Sequence, residues 1–566
     1  MLLRNSIRNA ASKITWVMIA ITCVFIAARS AGAQQQAVTA QSAAVKPSDI
    51  EQSPIDWWHA AVTQSVLDTP RWVTFDLETI LLDTLGNSPR IQSVSRRTSV
   101  ALEKIVQQDA AFDSTLLFES RYGRTNDPVG NTLTTGGPPR LIQDSVTTRA
   151  GVQRTSRRGT VIDLSQELGT LNSNSNFFDP AEQGNARLGL SLTQPLLSRG
   201  GQVYNERLLT QARIEGNVSW QMMRGDVETR IADVIAAYWK LYESRCHLLQ
   251  QTELLKRAQR IQAIIEARRD FDSGQIDLAK ARQRVARRID RQLQIKAEVE
   301  KQQARLASLI GSDQLASADT ALEMIPLESP VFPDIQFNLR DAVLQGIENR
   351  PEVRAATAEL ESAALSIRVT RAELVPQLTA VIDTYLSGLN GNYRVFESFS
   401  NQFTQGGPGI SAGLRYDMPH GRRAAKSRVR EAHHLYQQRS EQLRETIQLT
   451  RAEIETALIS VNTAMARQGT TRRLLITAID EENILTRRWE MMAGDGGTVG
   501  TVLENLLDAQ QRRTDAEREW ITAQSQYLAS LVDLQRAMGT LLVRTGIEPI
   551  QHHTSIEFIQ SGGPQR

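Results

Sequence analysis

Cysteine and aromatic residues are scarce in this sequence, and their scarcity excludes several kinds of protein. The 566 residues include two cysteines, Cys23 and Cys246, and Cys23 lies within an apolar N-terminal run. We therefore expect neither an intramolecular disulfide nor a cysteine-based metal site. Aromatic residues make up 5% of the chain, which favours long polar helices over one compact globular core.

Long apolar runs are confined to the N-terminus. A basic segment precedes an apolar stretch at 14–28, and Ala31 and Ala33 then occupy the small-residue positions of a cleavage site. This pattern predicts a signal peptide at 1–33 that is cleaved after Ala33, so the mature chain is exported. No later run approaches the roughly 20 apolar residues of a membrane-spanning helix. We expect the mature chain to float, to attach to a membrane or to cross one as strands.

The sequence has neither a strong excess of charge nor a convincing catalytic motif. The formal net charge is +2, and losing the four basic residues of the signal peptide lowers it to about −2, so no nucleic-acid partner is indicated. One G-x-S-x-G match, GISAG at 409–413, opens an alternating strand, whereas a nucleophile needs a strand-to-helix turn. The histidine pairs at 433–434 and 552–553 read as exposed polar pairs. We expect no catalytic residue, no metal site and no cofactor.

The chain contains an internal duplication. TFDLETILLDTLGNSPRIQSVS (74–95) and QFNLRDAVLQGIENRPEVRAAT (336–357) share an aromatic residue, a short amphipathic helix and an Asn-x-Pro step. Further on, Pro419 lies 224 positions after Pro195, at the end of a similar segment. Such self-similarity predicts two copies of one architecture. Each copy reads as helix, strand, loop, strand, long helix, turn and long helix.

Each copy ends a strand at a proline. In LGLSLTQPLLSRGG, at 188–201, three leucines alternate with small or polar residues until Pro195, and proline belongs at a strand's end or edge. ISAGLRYDMPHGRRA, at 410–424, repeats the alternation and stops at Pro419. Because a long helical region follows each segment, we expect joints between strand and helix here. The joint residues are Pro195, Gly200, Gly201, Pro419 and Gly421.

Each copy also has an earlier strand, within 112–122 in the first copy and 376–388 in the second. The first copy carries an additional hairpin at 146–168, which either extends the sheet or lies in an outer loop. Without that hairpin the chain supplies four strands. Four strands cannot stand alone in lipid, since their edges would leave backbone groups unpaired. Bacterial barrels have at least eight strands, so membrane strands of this chain would have to share a barrel with other subunits.

The helical regions show a helical period. A helix over about 202–268 would be roughly 100 Å long at 1.5 Å per residue, and one face of it is apolar. The residues of that face are Val227, Ile231, Val234, Ile235, Tyr238 and Leu241. Glycines near 274 and 494–500 allow tight turns and fold each region into an antiparallel hairpin. These turn residues are Gly274, Gly494, Gly496, Gly497 and Gly500. The regions end at two further glycines, Gly311 and Gly539.

These patterns divide the mature chain into five parts. A flexible N-terminal extension is expected at 34–73, and the first repeat at 74–325. A proline-rich linker at 326–335 joins it to the second repeat at 336–543. A C-terminal tail follows at 544–566.

Over about 74–543 the sequence resembles the TolC-type outer membrane efflux proteins. The motifs are the Q-P-L junction, N-R-P-E in the second copy, and TVLENLLDAQ with its closing A-x-G. The resemblance implies an α+β membrane protein: a homotrimer whose twelve-stranded β-barrel in outer-membrane lipid continues into a long α-helical periplasmic tunnel. It also implies a passive exit duct, not an enzyme, joined to a periplasmic adaptor and an inner-membrane transporter of a tripartite efflux or type I secretion system. The alternative is a structural coiled-coil spacer or adhesin without a pore. The exported substrate does not follow from the sequence.

By this resemblance, three acids are candidates for the tunnel entrance. Asp508 falls where the family has an entrance acid, and Asp277 falls where it has an acid that ties the hairpins closed. Glu504 is one helical turn before Asp508 and shares its face. A ring of such carboxylates favours cations, whereas ordinary solvated helix faces are the alternative. The glycine-rich tips are implied docking points for the adaptor. The basic run at 281–291 reads as a solvated face with salt bridges to neighbouring helices.

Overall fold

The computed structural model describes most of the predicted mature chain. The described residues are 56–67, 69–267, 275–312, 315, 322–332, 337–491, 499–552 and 555–560. The predicted signal peptide at 1–33 lies outside these ranges, as do the tip glycines Gly274, Gly494, Gly496 and Gly497.

The first half of the chain runs from short helices through four strands into two long helices. Its elements are α1 (Trp58–Val62), β1 (Arg71–Phe75), α2 (Leu77–Asn87), α3 (Pro89–Asp109), β2 (Ser114–Pro128), β3 (Arg140–Thr155), β4 (Val161–Ser173), β5 (Glu182–Pro195), α4 (Gln202–Asn205), α5 (Arg207–Ala267), α6 (Gln275–Ile310) and β6 (Leu322–Pro326).

The second half repeats this order with two strands in its sheet region. Its elements are α7 (Leu339–Asn349), α8 (Pro351–Leu374), β7 (Gln377–Gly391), α9 (Val395–Thr404), β8 (Gly409–Asp417), α10 (Arg423–Met491), α11 (Val499–Ala537), α12 (Leu541–Arg544), β9 (Ile547–His552) and β10 (Ser555–Gln560).

The two halves begin their helices in the same way. The Asp76 carboxylate accepts a hydrogen bond from the Thr79 N–H and caps α2, and the Asn338 side chain accepts from the Arg340 N–H at the start of α7. Both residue types are preferred helix N-caps. Each Asn-x-Pro step then places its proline at the first turn of the next helix, where proline needs no backbone N–H. The predicted duplication is thus visible in local structure.

The long helices also end alike, at glycines that pack against the Asn-x-Pro step of their own half. Gly311 has φ of +75° and Gly539 has φ of +65°, which glycine adopts without strain. A Cβ on Gly311 would lie 2.6 Å from Pro89, and a Cβ on Gly539 would lie 2.7 Å from the Arg350 backbone. Any larger residue would be strained here and would have to displace these neighbours, so glycine allows each helix hairpin to pack against the start of its repeat.

The helical hairpins match the predicted pattern. α5 has 61 residues and α10 has 69, so α5 alone is about 90 Å long. All six residues of the predicted apolar face of α5 are buried, from Val227 to Leu241. α5 packs along α6, and α10 packs along α11.

The sheet has six strands, whereas the twelve-stranded trimer expected from the sequence requires four per chain. All six are antiparallel to their neighbours, in the order β2-β3-β4-β5-β7-β8. The hairpin at 146–168, whose place the sequence left open, forms β3 and β4 inside this sheet. β2 and β8 are the two edges and do not pair with each other. Within one chain the sheet is therefore open.

Part of the N-terminal extension is fixed rather than flexible. β1, which spans the predicted boundary between the extension and the first repeat, pairs in parallel with β6. Beside this pair, Arg245 of α5 and Glu323 of β6 form a fully buried ion pair of 2.6 Å. Arg245 also donates to the Gln64 carbonyl, and Glu323 accepts from the Ser65 hydroxyl. These bonds hold the segment after α1 against α5.

None of the helices in the described ranges has an apolar stretch long enough to cross a membrane.

Candidate functional sites in the sheet and at the helix tips

The register of the sheet separates an apolar face from a polar face. Since side chains alternate along a strand, the paired positions of neighbouring strands share a face. The apolar face carries exposed Leu116, Phe118, Val152, Ile162, Leu164, Leu190, Ile382, Ile410 and Leu414. The polar face carries Glu119, Arg149, Asp163, Glu167, Arg187, Ser191, Asp383 and Arg415. A sheet of this kind suits a boundary between lipid and water.

Charges on the polar face alternate in sign from strand to strand. The register places Glu119 opposite Arg149, Arg149 opposite Glu167, and Glu167 opposite Arg187. Arg149 also forms an ion pair of 3.0 Å with Asp163. Opposite charges on adjacent strands stabilise their pairing. The polar face is thus a continuous charged surface across β2, β3, β4 and β5.

A short helix, α9, covers one end of the apolar face and is oriented with its polar side inward. Ser398 and Gln402 are buried against the sheet, where Ser398 donates to the Gly184 carbonyl. Phe396 on the opposite side is 88% exposed, and Phe399 and Phe403 are exposed beside it. A helix in water would turn its phenylalanines toward the sheet. This orientation indicates an apolar surrounding on the outside of the sheet.

The five predicted joint residues lie where the chain passes from the sheet to a long helix. Pro195 is the last residue of β5 and pairs with Thr379. Gly201 has φ of +86° and Gly421 has φ of +75°, conformations that favour glycine. A Cβ on Gly200 would lie 2.8 Å from the Pro195 carbonyl oxygen. Pro419 lies between β8 and α10. These residues let the chain leave the sheet and enter a long helix within a few positions.

At the helix tips, two of the predicted acids are paired with cations of α6. Lys280 Nζ lies 2.6 Å from Glu504 Oε1, and Arg284 Nη1 lies 2.6 Å from Asp508 Oδ1. The hydrogen bond from Glu504 raises the pKa of Lys280. Both contacts join α6 to α11, so within one chain these acids are neutralised. The sequence analysis named Glu504 and Asp508 as candidates, but it did not single out their partners Lys280 and Arg284.

The third acid, Asp277, lies in the first turn of α6 next to the start of α11. Its carboxylate is within 3.5 Å of the place that a Cβ on Gly500 would occupy, so Gly500 allows the two helices to approach. Next to Asp277 and Gly500, a cluster of buried apolar residues packs α5, α6, α10 and α11 together. Its buried residues are Ile261, Ile265, Leu278, Ala281, Trp489, Val502, Leu503, Leu506 and Leu507.

The basic run at 281–291 is only partly the solvated face that the sequence suggests. Arg282 is exposed and pairs with Glu266 at 2.9 Å, as a surface residue would. Arg288 is buried and donates to the carbonyls of Leu254 and Leu507. Burial lowers its pKa to about 10. Arg288 of α6 therefore links α5 and α11. Its place in a basic run gave no indication of this buried role.

The G-x-S-x-G motif and the question of a metal site can also be addressed from the structure. Ser411 of the G-x-S-x-G match lies within β8 and not at a strand-to-helix turn, as its sequence context predicts. Among the described residues, no group of three or more His, Cys, Asp or Glu side chains is placed to hold a metal ion.

The fold and these sites define a class of chain, in which an open amphipathic sheet continues into paired long helices. Residues 343–540 match the model of the outer membrane efflux protein family. The resemblance to TolC-type outer membrane efflux proteins is thereby confirmed, and the solved structures below agree with it.

The chain is similar to a curated outer membrane protein and to solved outer-membrane channel structures, including the following. The pyoverdine export outer membrane protein OpmQ of Pseudomonas putida is 27% identical over 296 residues, which are 50% of this chain and 56% of OpmQ. The match therefore spans little more than half of that relative. The outer-membrane channel OprN has a TM-score of 0.57 at 15% identity, covering 86% of this chain and 92% of OprN. The outer membrane protein VceC of Vibrio cholerae has a TM-score of 0.56 at 18% identity, covering 82% of this chain and 96% of VceC. These structures establish an outer-membrane channel fold.

Proposed function

We propose that this chain is a subunit of a passive outer-membrane duct that conducts substrates from the periplasm to the outside. The observation that carries the proposal is the six-stranded sheet with one exposed apolar face, one charged face and two unpaired edges. Exposed apolar side chains across a whole sheet are costly in water, whereas unpaired edges are costly in lipid. Both costs disappear when several chains close a barrel with the apolar face outward.

The subunit number in this proposal is three, as in the family that the sequence resembles. The joints around Pro195 and Pro419 would carry the wall from barrel into tunnel, and the helix hairpins would form the tunnel in the periplasm. An inner-membrane transporter and a periplasmic adaptor would complete the export system, with the adaptor docking near Gly500 and the glycine-rich tips. Among similar proteins, OpmQ is named for pyoverdine export.

The tip acids have a more specific role in this proposal. The pairs Lys280–Glu504 and Arg284–Asp508 join the two helices that begin at the tips, so they would hold the entrance in one arrangement. Breaking them would free up to two carboxylates per chain at the entrance, together with Asp277. Repeated by symmetry, those carboxylates would favour cations. The resting and open entrances would then differ in charge as well as in width.

The polar face favours this duct over a spacer or adhesin without a pore. A spacer has no use for a continuous charged surface on the concealed side of a sheet, because buried charges are expensive to desolvate. In a duct the same surface faces water.

A planar-bilayer recording of the purified full chain tests the proposal, with cross-linking and mass measurement of the same sample. We expect trimers that give discrete, voltage-stable conductance steps. A stable trimer in detergent that conducts nothing, even after combined neutralisation of Asp277, Glu504 and Asp508, would support the spacer instead. A monomer that is soluble without detergent would exclude both.

A further inference from the structure

The β3–β4 hairpin has the dimensions of its neighbours. β3 spans 16 residues and β4 spans 13, and a tilted strand needs about 9 to 11 residues to cross a bilayer. β3 pairs with β2 along the whole of β2, and β4 pairs with β5 from Val161 to Asn172. The hairpin therefore lies in the middle of the sheet and not beyond either of its ends.

The turn of this hairpin is anchored to the helices at the joint. Arg157 in the turn forms ion pairs with Asp109 at 2.8 Å and with Glu206 at 3.2 Å, at the end of α3 and just before α5. The Gly201 N–H donates to the Arg158 carbonyl. The turn thus reaches the level at which Pro195 leaves the sheet, so the hairpin runs the full height of the sheet.

Between Asp144 and Arg154, which lie on the apolar side near the two ends of β3, the hairpin carries both faces of the sheet. On the apolar side it exposes Val152, Ile162 and Leu164. On the polar side, Arg149 and Glu167 are the middle two members of the alternating series from Glu119 to Arg187. An outer loop in water would need neither the apolar face nor this match.

One polar side chain on the apolar face of the hairpin is covered. Gln166 of β4 exchanges hydrogen bonds of 3.3 and 3.2 Å with Gln402 of α9. α9 thereby satisfies the Gln166 amide and presents Phe396, Phe399 and Phe403 outward instead. Unpaired amides are costly in hydrocarbon, so this contact is what a lipid-facing hairpin requires.

We propose that β3 and β4 are membrane-inserted strands of the barrel wall, with Val152, Ile162 and Leu164 against lipid acyl chains and Arg149, Asp163 and Glu167 lining the lumen. Each chain then contributes six strands. This inference rests on the proposed function, and for its trimer the barrel has eighteen strands. Since barrel diameter grows roughly linearly with strand number, the barrel is about one and a half times as wide as a twelve-stranded one.

Spin labels on adjacent residues test the insertion directly. The variants are Val152→Cys and Gln153→Cys, each with Cys246→Ala, in the full chain reconstituted in phosphatidylcholine vesicles. We expect the label at position 152 to collide mainly with lipid-soluble oxygen, and the label at 153 mainly with a water-soluble nickel chelate. If both labels on the hairpin collide mainly with the chelate, the hairpin lies in water and the inference is overturned.

A matched pair on β8 separates this inference from the proposed function. Leu414→Cys and Arg415→Cys lie on the apolar and polar faces of a strand that the sequence already predicted. Alternation on β8 without alternation on β3 would remove the hairpin from the wall and leave the duct intact. Absence of alternation on both strands would contradict the duct itself.

Direct counting of strands gives a second readout that does not depend on labelling. Electron cryomicroscopy of the full chain in lipid nanodiscs should show six wall strands per subunit, whatever the subunit number. Deleting 140–173 should leave four, because β2 and β5 are antiparallel and Glu119 then lies opposite Arg187. The barrel should narrow by a factor of about 1.5. A wall of four strands per subunit in the undeleted protein would refute the inference.

Discussion

Arg284 and Asp508 meet at 2.6 Å across α6 and α11, one helical turn from the Lys280–Glu504 contact. The partners of each pair are 224 positions apart, the same offset that separates Pro195 from Pro419. The two pairs thus join the second long helix of the first repeat to the second long helix of the second repeat. The predicted gate acids are therefore parts of ion pairs between repeats.

Removing the cation of one pair should change the selectivity of the channel. Arg284→Gln unmasks Asp508, so the channel should become more selective for cations, as a shift in reversal potential under a KCl gradient. Because exposed ion pairs contribute at most about 1 kcal/mol, the open probability should rise only a few-fold. Arg282→Gln is the matched control, since Arg282 is on the same helix and pairs with Glu266. Equal selectivity of the two variants would argue against a role for the pair.

The ion pair of Arg245 and Glu323 should be the most stability-critical pair near the N-terminal segment. Glu323→Gln leaves the Arg245 charge buried without a counter-charge, which typically costs about 3–5 kcal/mol. We expect a clear fall in the melting temperature measured by circular dichroism in detergent, and faster proteolysis of residues 57–67. Glu298→Gln removes an exposed pair with Lys301 at 3.9 Å and should change little. Similar melting temperatures for the two variants would show that the buried pair does not anchor the segment.

Stability should fall as pH rises from about 4.5 to about 7 because of Glu228. Burial raises the pKa of this carboxyl from 4.5 to about 7; Arg224 opposes the rise and Glu352 adds to it. A raised folded-state pKa stabilises the protein fully below the unfolded value, and that stabilisation is lost between about pH 4.5 and 7. We compare the free energy of unfolding of Glu228→Gln with that of the native protein at each pH. This difference should favour the variant more at pH 8 than at pH 5, by on the order of 1–3 kcal/mol. Parallel melting curves at both pH values would contradict this.

The contact between α9 and the sheet depends on glycine. A Cβ on Gly388 would lie 2.1 Å from the Ser398 carbonyl oxygen, so Gly388→Ala should displace α9 from the sheet. We expect faster tryptic cleavage after Arg394, identified by mass spectrometry of the protein in detergent. Gly413→Ala is the control, because a Cβ there meets nothing within 4 Å. Equal cleavage in both variants would mean that α9 is not held at this point.

Local patterns in the sequence predicted the parts of the fold that local physics determines. The alternation up to Pro195 and its repeat at Pro419 predicted β5, β8 and the joints that follow them. The apolar stripe from Val227 to Leu241 predicted the buried face of α5. These patterns depend only on residues that are close in sequence, so a single sequence is enough to predict the elements that they form.

Contacts between distant residues were not predictable in the same way. The hairpin at 146–168 alternates like a strand pair whether it lies in the sheet or outside it, and only its pairing with β2 and β5 decides. Lys280 and Arg284 looked like surface cations, because nothing near them in sequence indicates Glu504 and Asp508. Ser398 and Gln402 gave no sign that they face inward, since an amphipathic helix does not reveal which side meets protein.

The central claim is that the apolar face of the sheet lies in lipid and the polar face in water. Leu190→Arg and Ser191→Arg, adjacent on β5, test it most directly through the amount of heat-resistant oligomer in outer-membrane fractions. Arginine on the lipid face of a barrel costs about 2–4 kcal/mol near the bilayer centre, whereas at 191 it would lie opposite Asp163 and Asp383. We predict that Leu190→Arg strongly reduces assembly and Ser191→Arg does not. Equal assembly of both variants would contradict the account.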